Sequence, residues 1–277
     1  KLIDRSFKIF GMFFTFLGIL ILVILIYNIV KVGYTRINWT FLTSLPSRKP
    51  ESAGIYTAII GTLDLMLLTV LFAIPVGVGA GIYLEEYSKK SKLSSLLEIN
   101  ISNLAGVPSI IYGLLGLGIF VRFFNFGGSI LSGSLTLSLL ILPIIIVATR
   151  EAIKAVPHSL KEASFALGAS KWQTIKDVVL PSSFGGILTG IILSLSRAIG
   201  ETAPLIVVGA MAYVPFVPQS IFDTFSVLPM QIFNWTTRPQ QGFAIAASGA
   251  IIVLLLITFI MNGIAVYFRN KWQKKLQ

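Results

Sequence analysis

Arg197 and Glu201 are the residues whose type and spacing are best suited to chemistry, because they stand four positions apart in the otherwise uncharged stretch 184–212. On a helix these positions share one face, so the guanidinium and the carboxylate can pair. A guanidinium offers planar pairs of N–H donors that suit tetrahedral oxyanions, and Ser196 and Thr202 could add hydroxyl donors. We therefore predict an anion path at Ser196, Arg197, Glu201 and Thr202. A purely structural ion pair that joins helices is the alternative.

A second feature is the polar stretch Arg150–Pro181, which interrupts long apolar runs. Ser159 with Glu162, and Ser170 with Gln173, have the spacing of capping boxes that begin helices. Gly168 lies between them and is the residue type favoured just after a helix ends. The pattern predicts two short helices hinged at Gly168, the second of which ends at Leu180, before Pro181.

Each of these short helices has an apolar face at helical spacing. The residues on the two faces are Leu160, Ala163 and Leu167 in the first helix and Trp172, Ile175 and Val179 in the second. We expect both faces to be offered to a partner, and a surface hairpin that lies on the membrane is the alternative.

The elements that position these residues are membrane spans. The 277 residues are 55% hydrophobic and 12% charged, whereas charged residues make up about 25% of a soluble domain. A helical span needs about 20 mostly apolar residues. Six stretches qualify, and we predict an all-α polytopic membrane protein with the spans Phe10–Val30, Ile55–Leu84, Ile99–Val121, Ile130–Thr149, Phe184–Ala212 and Gly242–Phe268.

Orientation follows from the lysines and arginines between the spans, which concentrate on the cytoplasmic side. Fifteen fall on the side of the termini and six on the other side, so both termini and the Arg150–Pro181 stretch are predicted to be cytoplasmic. The net charge of +11 is mostly explained by the lysines and arginines that orient the spans, and we expect no nucleic-acid partner. The domains are then residues 1–54, a first span with an external loop; 55–268, the membrane domain with the cytoplasmic loop 150–183; and 269–277, a basic tail.

Glycines and prolines within the spans predict close packing and helix breaks. Gly77 and Gly81 have the small-xxx-small spacing that lets helices approach, and breaks are expected near Pro75, at 106–109 and at Pro143. Gly200 and Pro204 are expected to bend the helix beside Arg197. Asp64, a lone carboxylate in the second span, either pairs with a cation or reaches the outer water, and we leave it out of the site.

The residue types exclude several kinds of site. With no cysteine, the chain has no disulfide framework and no thiolate metal site, and with one histidine, His158, we expect no metal cluster. The nucleotide-binding pattern G-x-x-x-x-G-K-[ST] does not occur. We expect no cofactor or catalytic residue on this chain.

Glu162-Ala163-Ser164, followed by Gly168 and then by Leu180-Pro181, resembles the EAA loop of ABC importer permeases, from which it departs at Ser164 and at Val178. The resemblance implies that Glu162, Ala163, Ser164, Gly168, Leu180 and Pro181 form a coupling helix pair seated in a groove of an ATPase subunit. Glu162 would make a polar contact there, and Gly168 would shape the turn. ATP and Mg²⁺ would be bound by that separate chain.

The run from Leu195 to Leu205 closely resembles the PstA family of phosphate-importer permeases, including the pair Ala203-Pro204. The resemblance implies a prokaryotic inner-membrane complex with a second, PstC-like permease, two copies of a PstB-like ATPase and an external PstS-like phosphate-binding protein. The outer segment Tyr213–Gln241 would be a natural place for that protein to dock. A permease for sulfate or molybdate, and an ion-driven transporter or channel that needs no ATPase, remain open as alternatives.

Overall fold

The computed structural model describes residues 2–88 and 91–276, and this part of the chain is helical without a β-strand. The α-helices are α1 (Leu2–Gly33), α2 (Trp39–Thr43), α3 (Tyr56–Ile82), α4 (Lys92–Leu104), α5 (Ser109–Gly116), α6 (Ile130–Lys154), α7 (His158–Ala166), α8 (Lys171–Thr174), α9 (Leu180–Ala198), α10 (Ala203–Val208), α11 (Leu228–Thr236) and α12 (Gln241–Leu276). Three π-helical turns continue α3, α5 and α8, and they cover Tyr83–Tyr87, Leu117–Phe123 and Ile175–Val179.

Five helical segments in the described residues are long and apolar enough to cross a membrane, and a sixth span results if α4 and α5 count as one. The break expected at 106–109 in the third span is confirmed, because α4 ends at Leu104, α5 begins at Ser109 and the two helices meet at an angle of 105°. Pro108 cannot donate to a helical hydrogen bond, and it disfavours helical geometry at the residue before it. The Tyr112 hydroxyl donates to the Leu104 carbonyl across this break at 2.8 Å.

Helix α6 lies at the centre of the bundle, between α3 and α9. A Cβ atom added at Gly77 would come within 2.6 Å of Ile145 Cγ2, and one at Gly81 within 2.7 Å of Thr149 Cβ. The predicted close packing at these glycines is thereby confirmed, and the partner is α6. The Ser134 hydroxyl adds hydrogen bonds to the carbonyls of Ile130 and of Leu65 in α3, at 2.8 and 3.2 Å.

The prolines inside α3 and α6 do not break them. Pro75 and Pro143 lie within continuous helices, contrary to the expectation from sequence. A proline removes one bond from the helical ladder, but in an apolar medium the other backbone groups have no water to bond instead, so the helix persists. Helix α12 continues beyond the predicted span, to Leu276.

The fifth span begins and ends earlier than predicted. Helix α8 does not stop at Leu180, because it runs through the π-helical turn into α9, and the continuous helix covers Lys171–Ala198. Pro181 lies inside this continuous helix, two residues after the π-helical turn Ile175–Val179. Ile175 and Val179 are buried inside the chain, so the prediction that they face a partner is wrong.

Candidate functional site

The ion pair between Arg197 and Glu201 spans a break between two helices. Helix α9 ends at Ala198, α10 begins at Ala203, and Arg197 Nε lies 3.3 Å from Glu201 Oε1. The pairing agrees with the prediction. The prediction that both residues share one face of a helix is wrong, because Glu201 lies beyond the end of α9. The expected bend at Gly200 is confirmed. A cation in the last turn of a helix also interacts favourably with the carbonyl end of the helix dipole.

Arg197 retains hydrogen-bonding capacity. Its side chain is 42% exposed, whereas that of Glu201 is 18% exposed. Within residues 2–88 and 91–276, the only hydrogen bond that Arg197 donates is from Nε to Glu201. The terminal guanidinium nitrogens are therefore available for the paired contacts that a tetrahedral oxyanion accepts. Tyr112 lies within electrostatic reach of the same guanidinium.

Ser196 and Thr202 are placed differently from Arg197. Ser196 Oγ lies 2.7 Å from the Ile192 carbonyl oxygen and 2.8 Å from Asn262 Oδ1 in α12. Successive helical residues point about 100° apart, so this hydroxyl joins α9 to α12 and is not directed with the guanidinium. Thr202 precedes α10, is half-buried and makes no side-chain cap. The structure thus brings Arg197 and Glu201 together, but not Ser196.

Helix α5, the second part of the broken third span, packs against α10. A Cβ atom at Gly113 would lie 2.8 Å from Pro204 Cα and 3.0 Å from Val207 Cβ. Helix α5 therefore contacts the backbone that follows Glu201 directly. This support was not predicted, and the signal that could have indicated it is Gly113, since a small residue within a span allows close helix packing.

The second candidate region is the α7–α8 hairpin, residues 158–174. Gly168 has a φ of +84°, as expected for the hinge. The Gly168 N–H donates to the Phe165 carbonyl at 2.9 Å and the Ala169 N–H to the Ser164 carbonyl at 3.2 Å, which is a Schellman motif. The left-handed conformation favours glycine over other residues. The prediction of a turn at Gly168 is confirmed.

Only one of the two predicted capping boxes forms. Ser170 and Gln173 exchange hydrogen bonds as expected. The box at Ser159 and Glu162 is wrong, because α7 begins at His158 and its N-cap is Pro157, with no side-chain cap. Proline preorganises its own φ for a helical start, so the helix begins two residues earlier than predicted and Ser159 lies inside it.

Polar contacts attach the hairpin to the end of the second span. Lys161 Nζ lies 2.5 Å from Glu86 Oε1, and the two side chains are only 14% and 12% exposed. Lys171 Nζ lies 4.7 Å from the centre of the Tyr87 ring. Ser164 Oγ lies 2.9 Å from Thr174 Oγ1, so α7 is also held to α8.

Arg150 makes a related connection at the end of α6. Its Nη2 lies 2.9 Å from Glu98 Oε1 in α4 and 3.4 Å from Glu85 Oε2 in the turn after α3. None of these acidic partners was singled out from the sequence. The sequence feature that could have indicated them is the pair Glu85-Glu86, which directly follows a span on the same side as a basic segment. A count of lysines and arginines alone does not detect acidic residues.

The outer face of the hairpin is apolar and has no partner within the described chain. Its large exposed side chains are Leu160, Phe165, Leu167 and Trp172, and Leu167 is 90% exposed. Glu162 and Ala163 are exposed beside them, whereas Ser164 turns towards Thr174. Leu180 and Pro181 lie further on, half-buried in the continuous helix, and do not belong to this face.

The remaining sequence candidate, Asp64, lines a cavity of about 310 Å³ with Pro218, Gln219 and Ser220. It makes no ion pair with any residue that the structure describes, so the expected pairing with a cation is not seen. The carboxylate faces the loop after α10, away from the hairpin end of α3, as expected if it reaches water on that side.

Comparison with known proteins supports one family. Residues 73–274 match the model described as "Binding-protein-dependent transport system inner membrane component". The chain is 33% identical over 268 residues to the probable ABC transporter permease protein YqgI of Bacillus subtilis, covering 92% of this chain and 91% of YqgI. It is 34% identical over 238 residues to the phosphate transport system permease protein PstA 1 of Mycobacterium tuberculosis, covering 85% and 77% of the two chains.

A solved structure has the same fold. The bacterial alginate ABC transporter, in complex with its alginate-bound periplasmic protein, aligns with a TM-score of 0.70 at 16% identity and covers 99% of this chain and 96% of that one. The family match includes the Arg197–Glu201 pair and the α7–α8 hairpin. The chain belongs to the family of binding-protein-dependent transport system inner membrane components, the permeases of ABC transporters.

Proposed function

We propose that this chain is a permease subunit of an ABC importer for inorganic phosphate and forms half of the translocation path. The observation that carries the proposal is the half-exposed Arg197 guanidinium, whose terminal nitrogens have no partner in the described chain. This group suits a tetrahedral oxyanion, and the phosphate-transport permease PstA 1 is 34% identical. The site predicts a path of Arg197, Glu201 and Thr202, with Ser196 positioning α9 against α12.

Glu201 has a distinct part in this mechanism. Without substrate, its carboxylate compensates the guanidinium charge, which would otherwise be costly at membrane depth. Phosphate carries the same sign of charge as Glu201, so the two compete for the guanidinium. Substrate passage therefore requires the Arg197–Glu201 contact to loosen, and the non-helical link at Gly200 allows this without unwinding α9.

The α7–α8 hairpin is the proposed joint with a separate ATPase subunit. Its apolar face at Leu160, Phe165, Leu167 and Trp172 would dock in a groove of that subunit, with Glu162 as a polar contact at the margin. ATP and Mg²⁺ would bind the ATPase, and hydrolysis of the ATP would drive the cycle. This chain contributes binding and positioning, and no catalytic group.

The complete importer would contain a PstC-like second permease, two PstB-like ATPase copies and a PstS-like external phosphate-binding protein, with both termini of this chain in the cytoplasm. The external protein would dock on the segment Tyr213–Gln241. Tyr213 and Phe216 are exposed there, whereas Trp235 is buried against Phe41 and is unsuited to that contact.

Uptake of radiolabelled phosphate tests the proposal. Arg197→Gln should reduce uptake at least about tenfold, because a charge-assisted hydrogen bond contributes about 1.5–3 kcal/mol. Arg197→Lys should retain part of it, and Arg122→Gln, which alters an exposed arginine elsewhere, should have no effect. Normal uptake by a well-expressed Arg197→Gln complex would contradict the anion path. Uptake of sulfate or molybdate in preference to phosphate would contradict the substrate.

A further inference from the structure

An apolar groove of about 770 Å³ lies on the outside of the bundle, at the hairpin end of α3. Its walls are the face of α3 from Ile74 to Ile82, the first half of α9, and Trp272 of α12. Lys176 is the one charged residue that lines it. The groove lies apart from the Arg197–Glu201 pair, and the proposed function does not use it.

Gly79 keeps part of one wall of the groove free of side chains. Gly77 and Gly81 are required by close packing on α6, but a Cβ atom at Gly79 would have nothing within 4 Å. Residues two positions apart lie on nearly opposite sides of a helix, so Gly79 faces the groove. Glycine in a helix interior costs about 0.5–1 kcal/mol relative to alanine, and no contact inside the described chain explains its presence there.

We propose that the groove binds an anionic phospholipid, with one acyl chain along the Gly79 wall and the headgroup phosphate at Lys176. Charge complementarity favours this occupant, because a cation at the end of an apolar groove matches a phosphate attached to an acyl chain. Trp272, whose ring centre lies 5.5 Å from that of Phe184, is the last residue of the apolar segment Gln241–Trp272, and indole rings are enriched in membrane interfaces.

The shape of the groove suits an acyl chain. The wall from Ile74 to Ile82 rises about 12 Å at 1.5 Å per residue. An acyl chain along this wall would place its apolar surface against the apolar side chains of α3 and α9.

Photocrosslinking identifies the occupant. The full-length complex, carrying a photoreactive amino acid in place of Leu188 of the groove wall, is reconstituted in nanodiscs of phosphatidylcholine with a minor fraction of phosphatidylglycerol. The expected product is the chain with the mass of one phosphatidylglycerol added. An adduct with a second polypeptide would overturn the proposal and assign the groove to a subunit contact.

Native mass spectrometry of the complex released from the same nanodiscs measures retention of each lipid. Lys176→Gln should lower retention of phosphatidylglycerol about fivefold, the factor that corresponds to about 1 kcal/mol per lysine at a lipid headgroup, and should leave phosphatidylcholine unchanged. Gly79→Leu should remove retention of both lipids at this site, because its side chain fills the groove without touching the protein backbone.

Matched controls are Lys154→Gln, at a lysine that is 65% exposed outside the groove, and Gly18→Leu, at an equally open glycine of α1. Neither should change retention. Equal phosphatidylglycerol retention in wild type, Lys176→Gln and Gly79→Leu would refute the site. Equal losses in Gly79→Leu and Gly18→Leu would also refute it, since the effect would not depend on the groove.

Discussion

Removing the ion pair between Lys161 and Glu86 is expected to loosen the α7–α8 hairpin from the second span. The two side chains are 14% and 12% exposed, and their charged atoms lie 2.5 Å apart. A hydrogen bond between charged groups contributes about 1.5–3 kcal/mol net. The equilibrium constant for local opening of α7 should therefore rise about 10- to 150-fold.

A double-mutant cycle isolates this contribution. Lys161→Met and Glu86→Gln each leave a shielded charge without its partner, so each single change costs more than the pair itself is worth. The double variant removes both charges, and the departure from additivity gives the coupling energy. The measurement is amide hydrogen exchange along α7, with the complex in nanodiscs.

The chain offers a matched control in Lys154 and Glu151, which lie 3.9 Å apart with both side chains 65% exposed. Exposed pairs usually contribute less than about 1 kcal/mol, and helical pairs of this spacing about 0.3–0.5 kcal/mol. The reasoning is refuted if the cycle at Lys161 and Glu86 gives no more coupling energy than the control cycle. In that case burial has not strengthened the contact, and the hairpin is held by other interactions.

Three further changes test the rest of the structure. Gly168→Pro should abolish co-purification of the ATPase, because proline cannot adopt the φ of +84° or donate to Phe165, whereas Gly168→Asn, which tolerates that φ, should retain most of it. Gly81→Leu should lower the free energy of unfolding in detergent by at least about 1–3 kcal/mol through overlap with α6, and an unchanged value, equal to that of Gly18→Leu, would contradict the packing. Tyr112→Phe should lower it by about 0.5–1.5 kcal/mol, the net contribution of one hydrogen bond, because the Leu104 carbonyl keeps its hydrogen bond from the Val107 N–H; a neutral result would mean that the tyrosine hydroxyl is not needed there.

The spans were largely predictable because membrane insertion depends on local composition. Runs of about 20 apolar residues have few alternatives to a helix when no water is present, and five of the six predicted stretches correspond to long helices. The exception, Ile99–Val121, forms two helices, and its break was indicated by Gly106 and Pro108 and not by hydropathy. The Gly168 turn was predictable for a similar reason, since a left-handed residue at a helix end is a local requirement.

Errors arose where a contact between distant segments decided the outcome. Ile175 and Val179 have the spacing of an exposed face, yet they are buried, Val179 against Ile153 and Val156. The sequence at Ser159 has the spacing of a capping box, but the helix begins after Pro157, two residues earlier, so the box does not form. The ion pair of Lys161 with Glu86 joins residues 75 positions apart, a distance over which sequence periodicity carries no information.

The corrected course of the fifth span changes how the two candidate regions relate. Sequence alone separated the second short helix of the hairpin from the helix that carries Arg197. In the structure they are the two ends of one continuous helix, Lys171–Ala198, which is about 42 Å long at 1.5 Å per residue. Under the proposed function, an ATPase that displaces Trp172 therefore moves Arg197 through the helix itself, and no relay of side chains is required. The break at Gly200 then lies where a moving helix meets α10, which α5 holds in place through Gly113. Relative motion between these two supports would act directly on the contact between Arg197 and Glu201.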